Sequence, residues 1–304
     1  MIKIYKIVII LSYLFSQYGF SQSNKILIVN SSGAITKYAK NANEFKQSLS
    51  KDYQWSELNL AGLENPENEL EKLIKTENPS VIYCIGTKAY LLAQQYVEDR
   101  KLLFSAAINW KRLNVNEKTY GISNELQPSQ EMSFLKMFFP KVKKVGIIYS
   151  NKFNQQYVEQ AKKEIQLLQI EIISQAIDES SEVASALNEL LPKVDILWVI
   201  SDPVVLDNKD VVVQIFKTAA AQQKQVYAYS DIYIQYGAVL SVSYDAGTTG
   251  GQAAGLLKSI PSQKVEVPAG TDITLNMCLI DKLKIDFNKS ALSSVTNMFN
   301  CTQE

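Results

Sequence analysis

The chain has 304 residues, 46% of them hydrophobic, which suffices for one large or two medium domains with real cores. Lys plus Arg and Asp plus Glu both number 31, and no stretch collects unbalanced positive charge, so no nucleic-acid partner is expected. Histidine is absent altogether, which removes the commonest general base, the Ser-His and Cys-His nucleophile pairs and the commonest metal ligand.

The N-terminus reads as an address. Lys3 and Lys6 precede the apolar run Ile7–Leu11, which continues through Leu14-Phe15, and Gly19-Phe20-Ser21 offers small residues where a signal peptidase cuts. The apolar core is shorter than the ~20 residues a membrane span requires. A signal peptide is therefore expected over 1–21, with export to the periplasm as a soluble protein. No cysteine near the cut provides for lipid anchoring. Cys84, Cys278 and Cys301 are too few and too far apart for a zinc framework or a CxxC pair. Cys84 reads as a small buried hydrophobe. Cys301 falls in a polar tail, either free or paired between molecules.

From Lys25 onward, strand and helix patterns alternate. Lys25–Asn30 is the first strand, broken by Ser31-Ser32-Gly33, and Tyr38, Ala42, Phe45 and Leu49 then share one helix face. Tyr53–Leu60 is a strand, and Glu67–Thr76 a helix. Val81–Ile85 is a short apolar run bounded by Pro79 and Gly86, the pattern of a strand buried on both faces. Gly86 lets the chain turn, and Thr87 is placed to cap a helix ending near Tyr96. Leu102–Ala107 is the next strand and leads into the loop Asn109-Trp110. After Tyr120–Ser123 and the polar segment Asn124–Pro128, a helix runs through Phe134, Leu135 and Phe138.

At Val145–Tyr149 the same grammar restarts. Ser150-Asn151 ends that strand, and a long amphipathic helix is expected over Gln155–Leu168. Strands follow at Ile170–Ala176, Val194–Ile200, Val226–Tyr229 and Ala238–Ser243, separated by helices at Glu182–Leu191 and Asp207–Gln222. The crossovers suit parallel pairing. The reading is an α/β protein of two similar lobes, each a parallel sheet flanked by helices. Gly247–Gly251 is glycine-rich but lies at the start of a helix, where close helix packing explains it better than a phosphate loop; no GxGxxG or GxxxxGK[ST] stretch occurs.

Several strands end in small polar or aromatic clusters: Asn30-Ser31-Ser32, Gly86-Thr87, Ala107–Trp110, Tyr149-Ser150-Asn151, Ser201-Asp202 and Tyr229-Ser230-Asp231. In open parallel sheets these carboxyl ends share one edge, where ligands bind, and two such edges facing one another make a cleft.

The run Pro79–Thr87 resembles the P-D-x-I-x-x-I-G-T segment of bacterial ABC-transporter substrate-binding proteins of the tryptophan/tyrosine type. Leu103–Ala107, Tyr120–Ser123, Phe138–Ser150, Val194–Val199 and Asn276–Ile285 are similar to that family too, in order and spacing, so the resemblance spans most of 25–287. It implies a type I periplasmic-binding-protein fold with a multi-strand hinge. Lobe 1 would hold 24–123 plus 232–260, lobe 2 would hold 124–231, 261–287 would cross back, and 288–304 would form a loose polar tail. It implies capture of a small molecule, an amino acid with an aromatic one favoured, for ABC-type uptake, without cofactor, metal or catalysis, by a protein expected to be a monomer.

The site residues it suggests are Ser31, Ser32, Gly86, Thr87, Ala107, Asn109, Trp110, Tyr149, Asn151, Ser201, Asp202, Ser230, Asp231 and Tyr244. Thr87 and the N–H groups after Gly86 would take a carboxylate, Asp231 or alternatively Asp202 would pair with an amine, and Trp110, Tyr149 and Tyr244 would wall the pocket. The chain departs from the family pattern at Asn109-Trp110-Lys111 and Ser150–Asn154, both at the expected cleft. An orphan sensor or envelope interaction protein on the same fold is the alternative, with a permease or a sensor protein as the respective partner. Carboxylate-assisted hydrolysis by Asp202 and Asp231 is the third reading.

Overall fold

In the computed structural model, residues 24–96, 100–258 and 263–301 are described, and the expected signal peptide lies outside them. In chain order the first part contains β1 (Lys25–Asn30), α1 (Thr36–Ser48), β2 (Gln54–Asn59), α2 (Pro66–Glu77), β3 (Val81–Ile85), α3 (Thr87–Ala93), β4 (Lys101–Ser105) and β5 (Thr119–Ile122). The second contains α4 (Pro128–Phe138), β6 (Lys144–Ser150), α5 (Asn151–Glu164), β7 (Glu171–Ile177), α6 (Val183–Leu190), β8 (Ile196–Val199), α7 (Lys209–Ala221), β9 (Gln225–Ala228) and β10 (Leu240–Tyr244). Then come α8 (Ala246–Gly255), β11 (Val265–Glu266), β12 (Thr271–Asn276), α9 (Met277–Leu283) and β13 (Asn297–Phe299).

Two sheets result, in the spatial orders β11-β5-β4-β3-β1-β2 and β13-β12-β10-β9-β8-β6-β7. The first is parallel throughout. The second departs from all-parallel pairing at one place, where β12 enters from the other lobe and runs antiparallel to β10. Side chains alternate across each strand, so both faces need cover. Ile26 and Ile28 face a core with Ala42 and Phe45 of α1 and Ala253 and Ala254 of α8. Leu27 and Val29 face the opposite core, with Leu70 and Ile74 of α2 and Ala89 and Tyr90 of α3. Helices α4 and α5 cover one face of the second sheet, and α6 and α7 cover the other. All five residues of β3 are buried, as the apolar run predicts, with Cys84 free and packed inside. The glycines of α8 serve close packing: a Cβ on Gly250 would come within 2.2 Å of the Asn41 carbonyl oxygen on α1.

The lobe boundaries differ from expectation in two places. Among the described residues of 232–260, α8, the following Leu256 and Leu257 and the Tyr244 side chain pack in the first lobe, while β10 itself lies between β9 and β12 in the second sheet. After β9 the chain makes a six-residue 3₁₀ helix, Asp231–Tyr236, and comes back beside β9 with Leu240 opposite Tyr227. Nor is 288–301 a loose tail. Asn288 donates its backbone N–H to the Phe138 carbonyl and its side-chain amide to that of Met137, β13 pairs with β12, and Cys301 is disulfide-bonded within the chain to Cys278.

Among the described residues the chain passes between lobes at β5 to α4, β10 to α8 and β11 to β12. Backbone hydrogen bonds tie these passages together, from Ser123 N–H to the Glu266 carbonyl and from Asp245 N–H to the Gly270 carbonyl. Among the described residues, no helix is long and apolar enough to cross a membrane.

Candidate functional site

A cavity of about 520 Å³ opens between the lobes. From the first lobe it is lined by Ile35, Thr36, Lys37 and Tyr38 at the start of α1 and by Ala106 and Ile108 after β4. From the second it is lined by Tyr229–Tyr233 after β9 and by Ser243 and Tyr244 at the end of β10, and Asn124 sits at the first passage. These are carboxyl ends of strands facing one another, as a doubly wound arrangement requires. The cavity falls in the range of small-molecule sites.

Its electrostatics centre on one lysine. Lys37 Nζ lies 3.1 Å from Asp231 Oδ1 and 3.0 Å from Ser243 Oγ, and 5.6 Å from the centre of the Tyr244 ring. Lys37 comes from the first lobe and Asp231 and Ser243 from the second, so the ion pair and the hydrogen bond span the cleft. Burial raises the Tyr38, Tyr233 and Tyr244 hydroxyls above the usual tyrosine range, and for Tyr244 the nearby Tyr38 and Asp231 add to the shift. The walls therefore remain neutral phenols at physiological pH. No side chain caps the N-terminus of α1, and its first turn carries no acidic residue, so its dipole and Lys37 make one end of the cavity positive.

Behind Asn124 and Tyr229, which line both spaces, lies a smaller chamber of about 20 Å³ bordered by Glu125, Glu131, Asn154, Tyr157 and Ser201. Asn124 Oδ1 is buried there without a hydrogen-bond partner. Glu131 accepts from Trp198 Nε1 at 2.9 Å; burial pushes its carboxyl up to about 8, against the hydrogen bonding that favours the charged form. On the far flank the lobes touch again, with Asn109 N–H donating to Glu125 Oε1 and the Arg112 guanidinium 3.9 Å over the Phe153 ring.

Of the residues singled out from the sequence, Ser230, Asp231 and Tyr244 line the main cavity, and Ser201 borders the inner chamber. The others take structural parts. Asp202, proposed as an alternative amine partner, is 1% exposed and accepts hydrogen bonds from Ser150 N and Oγ, Asn154 Nδ2, Val204 N and Val205 N. Nothing of its charge is left for a ligand. Thr87 does not cap α3; Gly86 is the cap residue, at φ +90°, and Thr87 Oγ1 accepts from Ile108 N–H. Ser31 Oγ accepts from Ala89 N–H, and Ser32 N–H donates to Asn30 Oδ1. Gly86 sits one layer behind the cavity, with Ser31 and Tyr38 filling the space a side chain would need. Ala107 and Trp110 pack in the first-lobe core, and Tyr149 packs in that of the second. Asn109 holds a left-handed turn at φ 55° and Asn151 opens α5, four residues earlier than the periodicity predicts, with its amide on Asp178.

Sequence reasoning missed Lys37, Tyr38, Tyr233 and Ser243, and it named Tyr229 in a strand-end cluster without carrying it into the site set. The signal for the first two was present: α1 begins just after the carboxyl end of β1, so its first turn must face the ligand edge.

This arrangement agrees with comparison to known proteins. The model of a family described as ABC transporter substrate binding protein matches residues 27–298. The chain belongs to this family. Among related members, a tyrosine-binding protein of Clostridioides difficile (strain R20291) is 22% identical over 234 residues. That match takes in 72% of this chain and 64% of the relative, so the chain spans less than two thirds of the relative's length. Among solved structures, an ABC domain in complex with L-Trp from Streptococcus pneumonia shares 17% identity at a TM-score of 0.61, over 90% of this chain and 99% of that one. The ligand-free, open structure of a substrate binding protein with adhesive properties from Clostridium difficile shares 17% identity at a TM-score of 0.70, over 91% and 99%. The two-sheet α/β fold of this substrate-binding family member is thus the one expected from its sequence.

Proposed function

We propose that this protein is an exported solute-binding protein that captures an amino acid, with an aromatic side chain favoured, in the interlobe cavity for delivery to an ABC-type permease. The observation that carries this reading is the pair of opposite charges from the two lobes, Lys37 and Asp231, at the wall of a cavity that Tyr38, Tyr229, Tyr233 and Tyr244 also line. A zwitterion needs one partner of each sign, and an aromatic ring needs flat apolar walls with polar tips. The anionic end is assigned to Lys37 and the first turn of α1, in place of Gly86 and Thr87, whose hydrogen-bonding groups serve the fold. The cationic end is assigned to Asp231. The names of the tyrosine-binding relative and of the L-Trp complex favour the same ligand class. Closure of the lobes around the ligand would be driven by contacts made to both walls at once.

A thermal-shift screen against the common amino acids tests this. The aromatic ones should raise the melting temperature by several degrees at millimolar concentration. Uniform silence across the panel would instead favour the alternative, a sensor or envelope interaction protein that keeps the fold without solute capture.

A further inference from the structure

The surroundings of Lys37 Nζ are those of an ammonium-binding cage: a carboxylate oxygen at 3.1 Å, a hydroxyl oxygen at 3.0 Å and an aromatic face at 5.6 Å. The combination of counter-charge, neutral acceptor and π-face matches an ammonium group's positive charge and three donors. The carboxylate and the hydroxyl belong to the second lobe, the Tyr244 ring stands at the junction of β10 with the first-lobe core, and the ammonium that fills the cage comes from the first lobe. The lysine is held loosely enough to leave, since its side chain is 25% exposed and that of Asp231 40%. Its contacts are therefore solvent-screened.

We propose that Lys37 is the specificity-determining residue of the cleft, a tethered stand-in for the ligand's ammonium that makes the site select zwitterions over simple amines. A ligand ammonium entering the cage must displace the lysine. A ligand that also carries a carboxylate gives the displaced Nζ a new partner beside the N-terminus of α1, so one ion pair is exchanged for two. A ligand with an amine alone leaves Lys37 partly buried without a direct ion pair, with Asp272 as the remaining carboxylate whose charge reaches it. A carboxylate alone can pair with Lys37 only by drawing it away from Asp231, which then stands unpaired. Discrimination thus arises from the charge the protein would be left with, as in other sites that reject analogues lacking one polar group. The same contact joins the lobes in the absence of ligand, together with the contacts of Asn109 with Glu125 and of Arg112 with Phe153 on the far flank.

This inference rests on the amino-acid reading above, and the test separates the two. L-tyrosine, tyramine and the deaminated acid hydroxyphenylpropionate are titrated calorimetrically into wild-type protein and into Lys37→Met, with the ligand-free radius of gyration of both measured by small-angle scattering. In the wild type, L-tyrosine should bind at least tenfold tighter than either fragment. In Lys37→Met, tyramine should bind about tenfold tighter than it does to wild type and L-tyrosine weaker, so that the preference collapses, and the ligand-free molecule should expand. If tyramine gains nothing from the substitution while wild type binds L-tyrosine, Lys37 is not a competitor and the inference fails, with the amino-acid reading intact. If none of the three ligands binds either protein, the amino-acid reading fails and scattering decides: expansion of Lys37→Met supports the lysine as an occupant of the cage, and an unchanged radius overturns it. Asp231→Asn serves as the second variant, expected to lose tyramine and L-tyrosine together and to expand in the same way.

Discussion

Ser201-Asp202 and Ser230-Asp231 are the same dipeptide at the carboxyl ends of adjacent parallel strands in one sheet, yet they do opposite work. After β8, Asp202 turns inward and is saturated by donors from β6, α5 and its own loop. After β9, Asp231 stays at the cavity wall, where a lysine from the other lobe and the weakly placed Ser230 hydroxyl are its partners. The difference lies in the neighbours. β8 runs beside β6, whose end supplies Ser150 and leads directly into α5 with Asn154, whereas the far side of β9 borders β10, whose end supplies Ser243 and Tyr244 to the cleft. A carboxylate becomes structural or functional according to how many donors its sheet neighbours already offer it.

The largest expected effect comes from breaking the structural member. Asp202→Ala leaves Ser150, Val204 and Val205 N–H groups without their buried acceptor and should destabilise the fold by about 3 kcal/mol or more. The melting temperature should drop on the order of 10 °C, with ligand affinity of the remaining folded protein unchanged. Asp231→Asn should behave in the reverse sense, melting within about 2 °C of wild type while its affinity for an aromatic amino acid falls roughly 10- to 100-fold by calorimetry. Equal stability losses in both variants would erase the distinction.

A third expectation concerns Glu131 in the chamber behind the cavity. Its folded-state carboxyl is raised from the ordinary glutamate value to about 8, by burial first, with Trp198, Tyr227 and Tyr157 on one hand and Glu125 on the other as its neighbours. The folded protein then binds a proton that the unfolded chain has released, so this contribution to stability is full below about 4.5 and is lost as pH rises toward 8. Melting temperature should fall between pH 5 and pH 9, and Glu131→Gln, which keeps an acceptor for the indole, should flatten that fall. The smallest effect is expected at Asp245, between α8 and the hinge. Partial burial opposes its ionisation, but hydrogen bonds from Lys40 and Thr248 hold it down to about 2. Its depressed value makes the contribution present above the unfolded pKa and lost as pH falls through about 2. The lysine is half exposed, so Lys40→Ala should cost less than about 1 kcal/mol in chemical denaturation at neutral pH.

What could be read from the sequence follows from period and punctuation. The buried run Val81–Ile85 and the close-packed Gly247 and Gly250 of α8 are local signals that the structure has in place, and carboxyl ends of strands from both sheets face the interlobe cavity. The lobe assignment of β10 was not legible, because a strand entering a sheet beside its predecessor looks the same as one entering a different sheet. Cys301 pairs with Cys278 only because β13 docks beside β12, a contact set by register and not by spacing. Lys37 stands in the first turn of α1, a position the end of β1 already marked, but on an amphipathic helix a lysine reads as solvated surface. Only the facing lobe turns it into part of the site. Asp202 failed as a ligand candidate for a related reason, since its donors come from residues 150 and 154, some fifty positions away.

Whether the charge pair across the cleft is a zwitterion site is tested most directly by a crystal structure of the protein grown with an aromatic amino acid. The prediction is a ligand between α1 and β9 with its ammonium on Asp231 and Ser243 and its carboxylate on the displaced Lys37. A ligand seated elsewhere, or one bound while Lys37 still holds Asp231, would contradict it.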